Sequence, residues 1–262
     1  MIQFFPSRAV ALQLFGLNIH WYGILYVASF LIAAFLLPLL QRFRGMHEPK
    51  ERWFDVVTWA VLGVLVGGRL GFVFFYEPSY FLRMPWKVIA VWEGGMASHG
   101  GFVGVIAAVW LYTRMKGMRT FAVADLLSIP AALGLGLGRI GNFINQELYG
   151  TVTSLPWAIR IPGVEGLRHP LQIYDALLMV CIALLCFVLL RLGKPERDGR
   201  IFAVFILSYG VTRFLLEYIR VQTYEPFTLW FITLTRGQLL TVPLIFFGIV
   251  LWWVGKPAQK DA

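Results

Sequence analysis

Charge is what this chain has least of. Acidic and basic residues together make up 14% of its 262 positions, against about 25% in a typical soluble domain. With 58% hydrophobic residues and a mean hydropathy of +0.70, that scarcity argues against an ordinary soluble protein. Cysteine is nearly absent. Cys181 and Cys186 sit five apart in one apolar run, cannot face each other on a helix, and have no metal-ligating company, so buried free thiols are expected. The start, MIQFFPSRAV, lacks a charged segment followed by a short apolar stretch and a small-residue cleavage site, and no cleavable signal is expected. Neither G-x-S-x-G nor H-E-x-x-H occurs, which lowers the serine hydrolase and zinc protease readings.

What is present in quantity is apolar length. Seven runs, at about 18–40, 54–76, 96–113, 121–143, 171–190, 201–220 and 237–255, approach the roughly 20 helical residues needed to cross ~30 Å of hydrocarbon. They are too long and too little alternating for barrel strands. The reading is an all-α polytopic membrane protein with seven transmembrane helices, one embedded domain over 1–262. The formal net charge of +9 would suggest nucleic acid in a soluble protein; here its placement matters more. Thirteen lysines and arginines fall after the first, third, fifth and seventh runs, against six in the other loops. That bias predicts an N-terminus outside and a C-terminus in the cytoplasm. Residues 77–95, amphipathic and aromatic, read as an interfacial arm. Residues 144–170, with three prolines and scattered glycines, read as a small outer cap or strand pair between the fourth and fifth runs.

The costly polar residues collect in one layer. Arg139 lies about 18 residues into an outward-running helix, roughly 27 Å along it, with Asn142 at i+3. Tyr209, Arg213, Glu217 and Arg220 follow at i, i+4, i+8 and i+11, one helical face. Arg69, the His20-Trp21-Tyr22 start of the first run, and Ser98-His99 within GGMASHGGFVG fall in the same outer half. Ionisable groups within a membrane mark a functional site by default. Guanidinium groups there suit a phosphate, and a phospholipid headgroup is the phosphate at that depth. No aspartate cluster accompanies them, which disfavours metal-assisted phosphoryl transfer. Blander readings stand beside this one. Arg213 and Glu217 also fit a structural i, i+4 pair. Arg69 and Arg220 fit snorkelling to headgroups. Asn142 and Asn145 fit hydrogen bonds between helices, and Gly134, Gly138 and the 94–104 glycines fit helix packing. Asp55, Asp125 and Asp175 near helix starts fit the helix dipole. A lipid or anion transporter, or a membrane protein recruiting secreted precursors without chemistry, are the competing classes.

"GRIGNFINQELYG" (138–150) resembles the signature of the bacterial prolipoprotein diacylglyceryl transferases. Gly138, Arg139, Gly141, Asn142, Phe143, Asn145, Glu147 and Gly150 carry the match. "HWYGILY" (20–26), "GGMASHGGFVG" (94–104), "RHPLQIYDA" (168–176), "YGVTRFLLEYIR" (209–220) and "RGQLLTVP" (236–243) resemble further blocks of that family, in order, over nearly the whole chain. The departures, at Tyr149 and at Thr235-Arg236, are mild. The resemblance implies seven membrane helices with the N-terminus out, in the bacterial inner membrane. It implies transfer of the diacylglyceryl group of phosphatidylglycerol to the lipobox cysteine of a preprolipoprotein, with a thioether formed and glycerol phosphate released. The implied partners are phosphatidylglycerol, the preprolipoprotein signal peptide and membrane lipids, with no cofactor, no metal and no nucleic acid. By that resemblance Arg139 and Arg213 clamp the headgroup phosphate and stabilise the leaving group. His99 is the candidate general base for the thiol, or alternatively orients the lipid. Asn142 and Tyr22 hydrogen-bond the glycerol headgroup, with Asn145 beside them in the substrate-binding set. Glu217 orients Arg213 with Tyr209 on the same face, and Glu147 and Gly150 shape the outer mouth.

Overall fold

Each apolar run folds as a helix, so its backbone groups are satisfied within the segment. The computed structural model describes residues 3–4, 8–193, 197–222, 225–229, 232–254 and 256–257. The helices are α1 (Trp21–Leu40), α2 (Lys50–Phe75), α3 (Pro78–Arg83), α4 (Ser98–Met115), α5 (Thr120–Asn145), α6 (Leu171–Leu192), α7 (Arg200–Leu216) and α8 (Arg236–Val254). Six of them, all but α3 and α4, are long and apolar enough to cross a membrane. Large apolar side chains such as Phe35, Phe74, Leu184 and Phe246 stand exposed along them, as in a bundle whose outside faces lipid.

Three boundaries differ from the sequence reading. The first helix begins at Trp21, not at 18, because Leu17–His20 is a strand paired antiparallel with Val10–Leu14. The second begins early, at Lys50, after Pro49 in an extended conformation. The sixth long helix stops being α-helical at Leu216, tightens to a 3-10 turn over Glu217–Ile219, and leaves Arg220 extended. The 77–95 segment is α3 followed by two 3-10 turns, Pro85–Ile89 and Val91–Glu93. In 144–170, Ile159–Arg160 pairs with Leu167–Arg168, and bridges join Gly150 to Arg220 and Val152 to Arg168.

α2 and α4 pack backbone to backbone. A Cβ on Gly67 would lie 2.7 Å from the Gly104 Cα, and one on Gly71 2.8 Å from the Gly100 Cα. Only residues without a side chain permit that approach. On α5, Gly134 faces Ser29 of α1 and Gly141 faces the Tyr22 ring, while Gly138 has no neighbour within 4 Å. Of the two α5 glycines that fit helix packing in sequence, Gly134 meets a neighbouring helix and Gly138 faces open space.

The apolar core gathers toward one end of the bundle. Leu37 of α1, Trp53 of α2, Tyr112 of α4, Leu126 of α5 and Ile201 of α7 are almost fully buried there. An ionic cluster seals the same end. Asp125, with no exposed surface, pairs with Arg44 and accepts the backbone N–H groups of Gly199 and Phe202 at 2.8 Å each. It thus caps the start of α7, where a carboxylate meets unpaired N–H groups and the positive end of the helix dipole. The sequence reading put Asp125 at the start of its own helix; the helix it serves is α7. Asp198 joins the cluster with Arg119 at 3.3 Å and Arg44 at 3.6 Å. Burial raises the Asp198 carboxyl pKa, against the lowering effect of both arginines. With the core concentrated at this end, the opposite end is left to polar groups.

Candidate active site

The polar end is assembled from α1, α5, α6 and α7. α5 delivers Arg139 one turn and a half before its end. Arg139 Nε pairs with Asp175 Oδ2 of α6 at 2.6 Å, and Arg139 Nη1 donates to Asn142 Oδ1 at 3.2 Å. Asn142, buried, donates from Nδ2 to the Tyr22 hydroxyl of α1 and to Glu147 Oε1 at 3.0 Å. Asn145 donates to the same Glu147 oxygen at 3.5 Å. Gly141 lets the Tyr22 ring lie against α5. Arg139, Asn142, Asn145, Glu147 and Tyr22 thus form one hydrogen-bonded chain across α1 and α5. Arg8 steadies its edge: its Nε donates to the Ile144 carbonyl at 2.7 Å, a cation on the carbonyl end of α5.

The second arm comes from α7. Arg213 Nη2 lies 3.2 Å from Glu217 Oε2 and Arg220 Nη1 lies 3.6 Å from the same atom. One buried carboxylate holds two guanidinium groups. The three arginines, Arg139, Arg213 and Arg220, line one small cavity with Leu148, Leu171, Gln172 and Asp175. Gln172 is 1% exposed; its Nε2 donates to the Glu147 carbonyl at 2.6 Å, and its Oε1 is buried without a partner among the described residues. Donors on three guanidiniums and one free amide acceptor suit a phosphate that carries hydroxyl groups.

Two parts of this cavity escaped the sequence. Asp175 was read as a helix-dipole carboxylate, yet it pairs with Arg139. Gln172 was not singled out. Both lie in the 168–176 block, and their i, i+3 spacing at the start of α6 was the available signal. Gly150 has a backbone reason: its N–H donates to the His169 carbonyl at 3.0 Å, and a Cβ there would lie 2.9 Å from the Ile219 carbonyl oxygen. It lets the cap strand cross the end of α7.

Not every expected residue reaches the cavity. Tyr209 stacks on Phe205, centroids 6.3 Å apart at 20°, against the core. His99 stands exposed on the second residue of α4, with no hydrogen-bond partner among the described residues; α4 is held on α2 by its glycines and by Ala97 N–H donating to the Gly68 carbonyl at 2.9 Å. Arg69, read as a snorkelling or site residue, is 5% exposed and saturated by the 77–95 segment. It donates to the carbonyls of Val88 at 2.8 Å, Gly95 at 3.1 Å, Gly94 and Lys87, with its guanidinium over the Phe81 ring at 5.1 Å. Its work is to fold that segment. Cys186 is buried, but Cys181 is exposed on the apolar helix face, so only one of the two thiols is buried as expected.

Residues 9–254 match the family described as Prolipoprotein diacylglyceryl transferase. The chain is similar to proteins named phosphatidylglycerol--prolipoprotein diacylglyceryl transferase. That of Solidesulfovibrio magneticus is 43% identical, covering 96% of this chain and 95% of the relative. That of Oleidesulfovibrio alaskensis is 41% identical over 100% and 98%. That of Legionella pneumophila is 37% identical over 98% and 100%.

Proposed function

The chain belongs to the prolipoprotein diacylglyceryl transferase family, and we propose for it the reaction its relatives' names carry: transfer of the diacylglyceryl group of phosphatidylglycerol to a prolipoprotein. It is a transferase acting at the first step of lipoprotein maturation. The acceptor is the lipobox cysteine of the signal peptide. Its thiol, with an unperturbed pKa of ~8.5, must lose a proton to attack. The thiolate then attacks the glyceryl carbon bearing the phosphate ester. A C–S bond forms, the C–O bond breaks, and glycerol phosphate leaves with the bonding electrons.

The observation that carries this reading is the meeting of Arg139 from α5 with Arg213 and Arg220 from α7 around one cavity. The leaving phosphodiester becomes a monoester and gains charge, so prearranged guanidiniums stabilise the transition state more than the substrate. Asp175 orients Arg139, and Glu217 orients Arg213 and Arg220. Tyr22, Asn142, Asn145 and Glu147 form the wall against which the glycerol headgroup lies, and Gly150 fixes the cap across its mouth. His99, exposed and apart from the clamp, serves the incoming thiol as base or orients the lipid outside the phosphate site. Tyr209 supports the α7 face through its stack on Phe205.

α4 supplies the seventh crossing, held on α2 by the glycine seam. On this reading the ionic cluster faces the cytoplasm and the arginine cavity the outer face of the inner membrane, an orientation supported by the excess of lysine and arginine in the loops beside the ionic cluster. Residues 77–95 form the interfacial arm and 144–170 the outer cap, and the acceptor approaches between them. Mass spectrometry of a lipobox peptide incubated with purified protein and phosphatidylglycerol tests the reaction. A mass gain of one diacylglyceryl group on the cysteine, lost in Arg139→Ala and Arg213→Ala, is expected. An unchanged peptide from folded protein that binds phosphatidylglycerol would instead favour lipid handling without transfer.

A further inference from the structure

A second groove lies at the other end of the bundle, between the end of α1 and the end of α6. It encloses about 330 Å³, the small end of the ~300–1,000 Å³ range of ligand pockets. Leu36 and Leu39 of α1 and Phe187 of α6 wall it, with Arg42 and Arg191 in its lining and Phe43 packed edge-on to Phe187, centroids 6.2 Å apart. It shares no residue with the arginine cavity. Leu39 is 17 positions after Tyr22, roughly 26 Å along α1.

The two arginines are uncompensated. Arg42 has its guanidinium 4.8 Å from the centre of the Phe43 ring, and neither it nor Arg191 has an ion pair with a carboxylate among the described residues. Of the other arginines around this end, Arg44, Arg52, Arg119 and Arg197 are in ion pairs or donate to backbone carbonyls. Arg42 and Arg191 are both exposed, above an apolar slot on the face of a membrane-crossing bundle. A phosphate-bearing headgroup complements the guanidiniums, and an acyl chain complements the slot.

We infer that this groove is a binding site for an anionic phospholipid, the headgroup phosphate held between Arg42 and Arg191 and an acyl chain lying on Leu36, Leu39 and Phe187. The bound lipid is a resident one, distinct from the donor consumed at the arginine cavity. On the proposed topology it belongs to the cytoplasmic leaflet. The site rests on the membrane-crossing helices and not on the transfer reaction.

Native mass spectrometry of the full chain with equal amounts of phosphatidylserine and phosphatidylcholine tests it. The wild type should retain one phosphatidylserine with about tenfold preference. Arg42→Gln/Arg191→Gln should lose the preference and keep its transfer rate from phosphatidylglycerol. Leu39→Trp, which fills the slot and leaves both charges, should also release the lipid. Retained preference in the double variant overturns the site. So does loss of preference in Arg139→Ala with both groove arginines intact, which would put the lipid at the catalytic clamp. A change from dimer to monomer in the double variant would make the groove an interface between copies and would also overturn it.

Discussion

Replacing Gly237 by alanine drives a methyl group into the Glu217 carboxylate. The new Cβ would sit 2.4 Å from Oε1, 2.5 Å from Cδ and 2.7 Å from Oε2. Ordinary contact between such atoms is roughly 3.5 Å, so the carboxylate must retreat by about 1 Å. It is the free end of a flexible side chain, and the fold should lose only about 1–3 kcal/mol as in other overpacked sites. The site should lose more. Glu217 Oε2 holds Arg213 at 3.2 Å and Arg220 at 3.6 Å, and a retreat of that size removes the shared anchor of both. A misplacement of 1 Å can cost about 100-fold in rate, or roughly 2.7 kcal/mol of barrier. The assay is the rate of diacylglyceryl transfer to a lipobox peptide, paired with thermal unfolding of the purified protein in detergent. A melting temperature within a few degrees of wild type with transfer down by about 100-fold is expected. Wild-type transfer would refute the claim that the Glu217 position sets the clamp. Failure to fold would refute the claim that the carboxylate yields.

Three further outcomes are expected. Gln172→Leu removes the one buried amide oxygen left free at the cavity, so glycerol phosphate should inhibit about tenfold less well while inorganic phosphate inhibits as before; equal weakening of both would show that Gln172 reads no hydroxyl. Arg69→Leu leaves the carbonyls of Lys87, Val88, Gly94 and Gly95 without their donor, each worth about 1–3 kcal/mol; amide exchange over 85–95 should quicken by at least about tenfold, and unchanged protection would count against the anchor. Asp125→Ala removes one of the two carboxylates paired with buried Arg44, leaving Asp198 at 3.6 Å, and uncaps α7, and should destabilise the protein by about 2–4 kcal/mol in denaturant unfolding; a change below about 1 kcal/mol would contradict the capping account.

Much of this protein is written in its local pattern. Apolar runs of 18 or more residues have few structures open to them in hydrocarbon, so the long helices and their order follow from the sequence within a few residues. The arginine in 138–150 and the arginine–glutamate pair at i, i+4 in 209–220 declare themselves because charge at that depth is costly. Even the strand pair in 144–170 is announced by its prolines and glycines. What local pattern does not carry is partnership between distant segments. Arg69 and Arg139 look alike in sequence, each an arginine among glycines in an apolar run. One is used up by four carbonyls of the next loop, and the other is aimed by Asp175 into a cavity. Asp125 and Asp175 likewise look like two carboxylates near helix starts, yet one caps α7 and the other pairs with Arg139 at the cavity. His99 is conspicuous in sequence but does not line the arginine cavity; it sits on α4, which the glycine seam holds against α2. The sequence determined which segments are helices and which residues are too costly to be idle; only the tertiary structure decided which of those residues face one another, because a hydrogen bond or ion pair is settled by ångströms between segments that the chain separates by tens of residues.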